Sequence, residues 1–248
     1  MSVLVVIPAR YASVRFPGKP LALLAGKPMI QHVYEQVAGA ACAEEVIIAT
    51  DDERIMAAAA KFGAKTMMTN PAARSGSERV AEVARSRQAQ VVINVQGDEP
   101  LMRADMVDQV AEFLEAHQAV PMASLMTPLT QEPDAASPNV VKVVTDRDGF
   151  ALYFSRAPIP FQRADAAGQP GPRYYKHIGI YGYQRHFLLQ FPSLAPTRLE
   201  QCEQLEQLRA LEHGYRIKLL QTAHDSIGVD TPDDLRRVER LLADAGKR

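Results

Sequence analysis

Hydrophobic and polar positions alternate along this chain with two different periods, and the switches between them mark the elements. Val3–Ile7 is an unbroken β-branched and aliphatic run, the pattern of a strand covered on both faces. From Met29 to Ala40 the period lengthens: Ile30, Val33, Tyr34 and Val37 fall on one side of a helix. Val46–Ala49 reads as a second buried strand, Asp51 and Asp52 favour a helix start, and that helix carries Ile55 and Met56 on to Phe62. Thr66–Thr69 predicts a short third strand and Ser77–Ala84 a helix. Val91–Val95 predicts another strand and Ala104–Ala116 an amphipathic helix.

Strands alternating with helices of about ten residues predict an α/β fold: a mostly parallel sheet with helices on both faces. The rhythm then breaks. Residues 121–190 hold strand-like pieces at Val140–Val144, Ala151–Phe154 and Ile178–Tyr183, with a polar stretch, Gln162–Arg173, that reads as an exposed loop. Leu199–Leu211 predicts a helix, Ile217–Leu220 a strand and Asp233–Ala243 a final helix. The 248 residues fit one large α/β domain, with 121–190 as an inserted subregion.

Charge changes the picture little in bulk and much locally. The formal net charge is −1 with Lys and Arg spread throughout, which argues against a general nucleic-acid binder. Cys42 and Cys202 form no CxxC pair, so neither a disulfide framework nor a zinc knuckle is indicated. No apolar run approaches the roughly 20 residues of a membrane span, and a core strand starts almost at Met1. The expectation is a soluble cytoplasmic protein.

In open parallel sheets ligands sit beyond the carboxyl ends of the strands. The loop after the first strand, IPARYASVRFPGKPL, places Arg10, Arg15 and Lys19 there, with no acid between Met1 and Lys27. A P-loop is absent because both GK pairs precede proline, and the G-x-G-x-x-G fingerprint is absent too. A phosphate bound here would therefore be held mainly by charged side chains. The competing reading is that these cations are solvated or pair with remote acids.

After Val91–Val95 comes QGDEP, which places Asp98 and Glu99 just past the strand, where a carboxylate is suited either to hold Mg²⁺ or simply to start a turn or helix. In GVDTPDDL, Thr231 fits an N-cap, Pro232 the first helical position, and Asp233 and Asp234 the first turn. Only Asp230 has no helical reason to be there. In SGSER, Ser77 is a candidate cap for a helix beginning at Glu78. HIGIYGY alternates, so His177, Gly179, Tyr181 and Tyr183 face one way and Ile178 and Ile180 the other. There is no G-x-S-x-G elbow and no Cys–His pair of the kind that carries covalent catalysis.

These stretches, together with NVVKVV at 139, ALYFSRAPIPF at 151 and LEQLR at 205, occur in order along nearly the whole chain. In them the sequence closely resembles the cytidylyltransferases that activate 3-deoxy-D-manno-octulosonic acid (Kdo), the CMP-Kdo synthetases of Gram-negative bacteria. The resemblance implies a Rossmann-like nucleotide-diphospho-sugar transferase fold, with 121–190 as a β-rich dimerisation region and a homodimer as the assembly. It implies CTP and Kdo as substrates, CMP-Kdo and pyrophosphate as products, and a place in lipopolysaccharide biosynthesis. By the same resemblance Asp98 and Asp230 bind Mg²⁺. Arg10, Arg15 and Lys19 act on the phosphates, and Pro8, Ala9, Ser75, Gly76, Ser77, Gln96 and Asp98 line the nucleotide site. Arg79, Gln96, His177, Tyr181, Glu206 and Gln207 are implied on the sugar side. Two rivals remain: a sister enzyme for another acid sugar, such as a sialic acid or 8-amino-Kdo, and a non-catalytic nucleotide-binding regulator on the same fold.

Overall fold

β1 (Val3–Ala9) divides its side chains between two covered faces, and it sits inside a nine-stranded sheet. The structure, a computed structural model, describes residues 2–12, 16–129, 132–163 and 174–245. After β1 come a short hairpin of β2 (Leu23–Leu24) and β3 (Lys27–Pro28), then α1 (Met29–Val37), β4 (Ala43–Thr50) and α2 (Glu53–Lys61). β5 (Lys65–Met68), α3 (Gly76–Arg85), β6 (Val91–Val95) and α4 (Ala104–Ala116) complete the first half. The second half runs through β7 (Met122–Pro128), α5 (Glu132–Ala136), β8 (Lys142–Thr145), β9 (Ala151–Ser155) and β10 (Tyr175–Gln184). It ends with α6 (Arg185–Gln190), α7 (Arg198–Glu203), α8 (Gln207–Glu212), β11 (Ile217–Gln221) and α9 (Pro232–Ala245).

The sheet order is β11-β7-β10-β6-β1-β4-β5, with β8 joined to β10 and β9 to β8. β1 pairs in parallel with β4 and β6, β4 with β5, and β11 with β7. β10 alone among the interior strands runs the other way, antiparallel to both β6 and β7. Val3, Val5 and Ile7 pack against Ile30 and Val33 of α1, Ile55 of α2 and Val110 of α4. Leu4 and Val6 face the opposite layer, with Val80 and Val83 of α3, Phe187 of α6 and Leu208 of α8. Each fully buried aliphatic side chain contributes about 1.5–3 kcal/mol before chain entropy is set against it, so both layers hold the strand in register.

Residues 121–190 do not stand apart from this core. β7 and β10 lie in mid-sheet, and only β8 and β9 project beyond it. The stretch Leu199–Leu211 is also not one helix. Gln204 adopts a left-handed conformation (φ 53°, ψ 48°) between α7 and α8, and Leu205 is thereby turned into the core. Much of the polar stretch Gln162–Arg173 falls outside the described residues. No helix among the described residues is long and apolar enough to cross a membrane.

Candidate active site

Three segments from the carboxyl-terminal edge of the sheet converge. The first is the loop leaving β1. Gly18 (φ 71°) turns the chain, its N–H donates to the Tyr11 carbonyl at 3.0 Å, and a 3₁₀ turn then opens at Lys19. A Cβ on Gly18 would stand 3.1 Å from the Tyr11 ring, so glycine serves both the angle and the packing. The second segment is the turn after β6, and the third precedes α9. The Val229 N–H donates to the Asp98 carbonyl at 2.8 Å, which staples the third segment to the second. Asp98 and Asp230, 132 residues apart in sequence, are thereby brought side by side.

Lys19 lies between them. Its Nζ donates to Asp98 Oδ2 at 2.6 Å and to Asp230 Oδ1 at 3.1 Å. Burial disfavours the ammonium, but the two carboxylates outweigh it and hold the Lys19 pKa above its ordinary value. The expectation of an uncompensated loop cation is thus corrected for Lys19: remote acids pair with it, as the competing reading held. Arg10 is exposed beside the same cavity, and Arg15 lies outside the described residues.

Two carboxylates already share one cation at this point, which is the chemistry a divalent ion requires. Mg²⁺ is a hard cation that keeps several of its oxygen ligands from water and substrate phosphate. Two protein carboxylates therefore fit it, and among the described residues no cluster of three or more candidate ligands competes.

On one side of this point lies a cavity of about 400 Å³. Pro8, Ala9, Arg10, Lys19, Ser75, Gly76, Gln96, Asp98 and Asp230 all line it, as does Gly97. The cap of α3 is Ser75, whose side chain accepts from the Glu78 N–H at 3.2 Å, so the helix starts at Gly76 and not at Glu78. Ser77 is released from capping and donates to Glu206 Oε2 at 2.8 Å. Gly97 is dictated by geometry: a Cβ there would be 2.8 Å from the Pro8 carbonyl oxygen.

Arg79 lines this cavity too, and not the second one described below. It is 3% exposed and donates to Asp51 Oδ2 at 2.9 Å and to the Thr69 hydroxyl. The reason is its position on α3, facing the ends of β4 and β5.

On the other side lies a second cavity, of about 510 Å³. It shares Gln96, Asp98 and Asp230 with the first, and Ser77, His177, Tyr181, Glu206 and Gln207 also line it. Burial depresses the His177 pKa to about 3, with the nearby Lys176 charge adding to the effect, so the imidazole is neutral. Ser124 Oγ donates to the Ile180 carbonyl at 2.6 Å and lies 2.8 Å from His177 Nε2, which assigns the proton to Nε2 and leaves Nδ1 as an acceptor. Burial also raises Glu206 above the usual carboxylate range, against the hydrogen bonds from the serines. Its Oε1 and the Gln207 Nε2 are buried with no hydrogen-bond partner among the described residues.

One neighbour escaped the sequence reading as a functional group. Glu99 is pushed up to about 7 by burial and by Asp98, against a hydrogen bond from Ser226. Its Oε1 occupies space that side chains at Gly179 and Gly228 would need. The acid itself was visible in QGDEP; its two glycine partners, from distant segments, were not readable as such.

The chain matches the cytidylyltransferase family model over residues 4–218. It is 53% identical over 251 residues to the 3-deoxy-manno-octulosonate cytidylyltransferase of Pelobacter propionicus, covering 98% of each chain. With the namesake from Geobacter sulfurreducens it shares 51% identity over 249 residues, covering 98% of this chain and all of that one. A solved CMP:2-keto-3-deoxy-manno-octonic acid synthetase complexed with CTP superposes with a TM-score of 0.92 at 42% identity, covering 99% of this chain and 100% of that one. A Leptospira borgpetersenii cytidylyltransferase, 14% identical with a TM-score of 0.66 over 98% of this chain and 87% of its own, shares the fold alone. The Rossmann-like nucleotidyltransferase architecture and these full-length identities agree: the chain belongs to the 3-deoxy-manno-octulosonate cytidylyltransferase family.

Proposed function

We propose that this chain transfers CMP from CTP to the anomeric hydroxyl of Kdo, releasing pyrophosphate, and that it does so in the cytoplasm as a homodimer. The observation that carries the reading is the shared wall: Asp98 and Asp230 meet on one cation where the two cavities join. CTP fits the cavity beside the β1 loop and the acid sugar the one beside β10.

In the reaction the anomeric oxygen forms a bond to the α-phosphorus as the bond from that phosphorus to the bridging oxygen of pyrophosphate breaks. The hydroxyl proton passes to water. No covalent enzyme intermediate is needed; alignment and charge do the work. Arg10, Arg15 and Lys19 are assigned to the β- and γ-phosphates, whose negative charge grows as they leave. Ser75 and Gly76 border the nucleotide at the start of α3, whereas Ser77, expected beside them, lines the other cavity and donates to Glu206. On the sugar side, Glu206 Oε1, 4.0 Å from Arg209, offers an acceptor and Gln207 Nε2 a donor; neither has a hydrogen bond among the described residues, so sugar hydroxyls satisfy them. His177 Nδ1 adds a neutral acceptor and Tyr181 a wall. Asp98 and Asp230 would hold Mg²⁺, which when bound supplies positive charge at the α-phosphate and lowers the pKa of the attacking hydroxyl.

Pairing of subunits is supported by the edge strand β9, where Leu152 is 62% exposed, and by Phe161 just beyond it at 88%. A monomer by sedimentation at assay concentration would refute the dimer. The function is tested by pyrophosphate release over a panel of nucleotides and sugar acids. Turnover is expected with CTP and Kdo; none with that pair, or better turnover with another, refutes it.

A further inference from the structure

A 2-keto sugar acid carries its carboxylate on the anomeric carbon, the carbon that also bears the reacting hydroxyl. The sugar cavity must therefore offer a cation close to Asp98 and Asp230, and its lining is strongly acidic, with Asp134, Asp225 and Asp234 besides the carboxylates already described. Among the described residues two cations line it, Lys176 and Arg237. Lys176 is spent: its Nζ donates to Asp225 Oδ1 and to the Ser226 carbonyl, both at 2.7 Å. Other nearby cations are spent as well. Lys19 pairs with the two aspartates and, once Mg²⁺ holds those carboxylates, is assigned to the phosphates of CTP; Arg79 serves Asp51, and Arg156 donates to the carbonyls of Pro138, Glu203 and Gln204.

Arg237 differs. It is exposed at the cavity and has no hydrogen-bond or ion-pair partner among the described residues. Its helix neighbours do not neutralise it. Asp233 is paired with Arg236, and Asp234 accepts from the N–H groups of Asp230 and Thr231 and from the Thr231 hydroxyl. Arg237 stands about 7.5 Å along the α9 axis from Pro232, at about 1.5 Å per residue. Side chains on a helix lean toward its N-terminus, the end of α9 that follows Asp230, and Arg237 and Asp230 line the same cavity.

We infer that the Arg237 guanidinium receives the carboxylate of the sugar acid, by a forked, charge-assisted pair, and so selects acid sugars over neutral ones. This inference rests on the function proposed above, so wild-type turnover of CTP with Kdo is measured first; its absence overturns both. With turnover established, steady-state kinetics are run on Arg237→Ala, Arg237→Lys and Lys176→Ala, with Kdo and with its carboxamide, after thermal unfolding has checked each fold. Arg237→Ala is expected to raise the KM for Kdo about 10- to 100-fold while leaving the KM for CTP within about twofold. Arg237→Lys should recover a large part, because charge is retained and the fork is lost. Wild type should prefer Kdo to the carboxamide, and Arg237→Ala should not. An unchanged KM for Kdo, an equal rise for CTP, a preserved preference for the acid, or a loss confined to Lys176→Ala would overturn this inference and leave the function standing.

Discussion

Acidification is expected to separate the wild-type protein from a His177→Gln variant, by an amount that follows from one buried ring. The folded state keeps His177 neutral down to about pH 3, whereas in the unfolded chain it takes a proton near 6.5. Between those values the unfolded state binds one more proton, so this group's stabilisation is full above about 6.5 and is lost as pH falls toward 3. The slope is about 1.4 kcal/mol per pH unit, which amounts to roughly 3 kcal/mol between pH ~7.5 and pH ~4.5. That is a large part of a total stability of about 5–15 kcal/mol. Glu99 acts in the opposite sense. Its folded value of about 7 stands above the ordinary 4.5, so its stabilisation is full below about 4.5 and is lost as pH rises through 7. The two slopes offset each other in the wild type, and only the difference between proteins isolates His177. Glutamine can still donate to Ser124, so the variant is expected to fold. Urea unfolding followed by circular dichroism across this range supplies the measurement. The gap between the two stabilities should shrink by roughly 3 kcal/mol as pH falls. Parallel curves, with a gap constant to about 0.5 kcal/mol, would refute a neutral buried His177.

Three further outcomes follow from the same geometry. Asp98→Asn and Asp230→Asn should each lower kcat/KM about 100- to 1000-fold with the fold intact, and the double variant should lose less than the product, since both carboxylates address one cation; undiminished turnover at limiting Mg²⁺ would remove them from the metal site. Arg15→Ala should raise the KM for CTP more than that for Kdo, and an unchanged CTP dependence would take it out of the phosphate site. Gly97→Ala forces a Cβ to 2.8 Å from the Pro8 carbonyl and should destabilise the protein by about 1–3 kcal/mol while weakening CTP binding, read as a lower Tm and a smaller thermal shift with CTP; a wild-type Tm would show that the strand ends can separate.

The sequence carried the sheet because its strands are nearly pure: Val3–Ile7 and Val91–Val95 offer no helical alternative. β7 was harder to read because Ser124 and Thr127 interrupt its apolar run. Both are buried, and Ser124 is satisfied by His177 and the Ile180 carbonyl, a partnership invisible before β10 is placed beside β7. The same holds at the site. Asp230 stood out because helix capping explained its neighbours and not itself. The pairing of Lys19 with Asp98 and Asp230 depends on contacts across 79 and 211 residues, for which no local pattern exists. Which cavity Arg79 lines is decided by Asp51, a residue whose acid reads as a helix-start signal, so its place was not legible in SGSER. Ser77 was misread as a cap because Ser75, two residues earlier, satisfies the same rule.

β10 enters the sheet against the direction of its neighbours, so it delivers His177 and Tyr181 from its beginning, while β1 and β6 deliver their residues from their ends. Among the described residues the two cavities share Gln96, Asp98 and Asp230, and α3 touches both, giving Ser75 and Gly76 to one and Ser77 to the other. On the proposed assignment, exchange of His177 and Tyr181 is expected to retune which sugar is accepted with little effect on nucleotide handling. Such a division makes the scaffold a natural starting point for grafting new acceptors onto an unchanged CTP-using half.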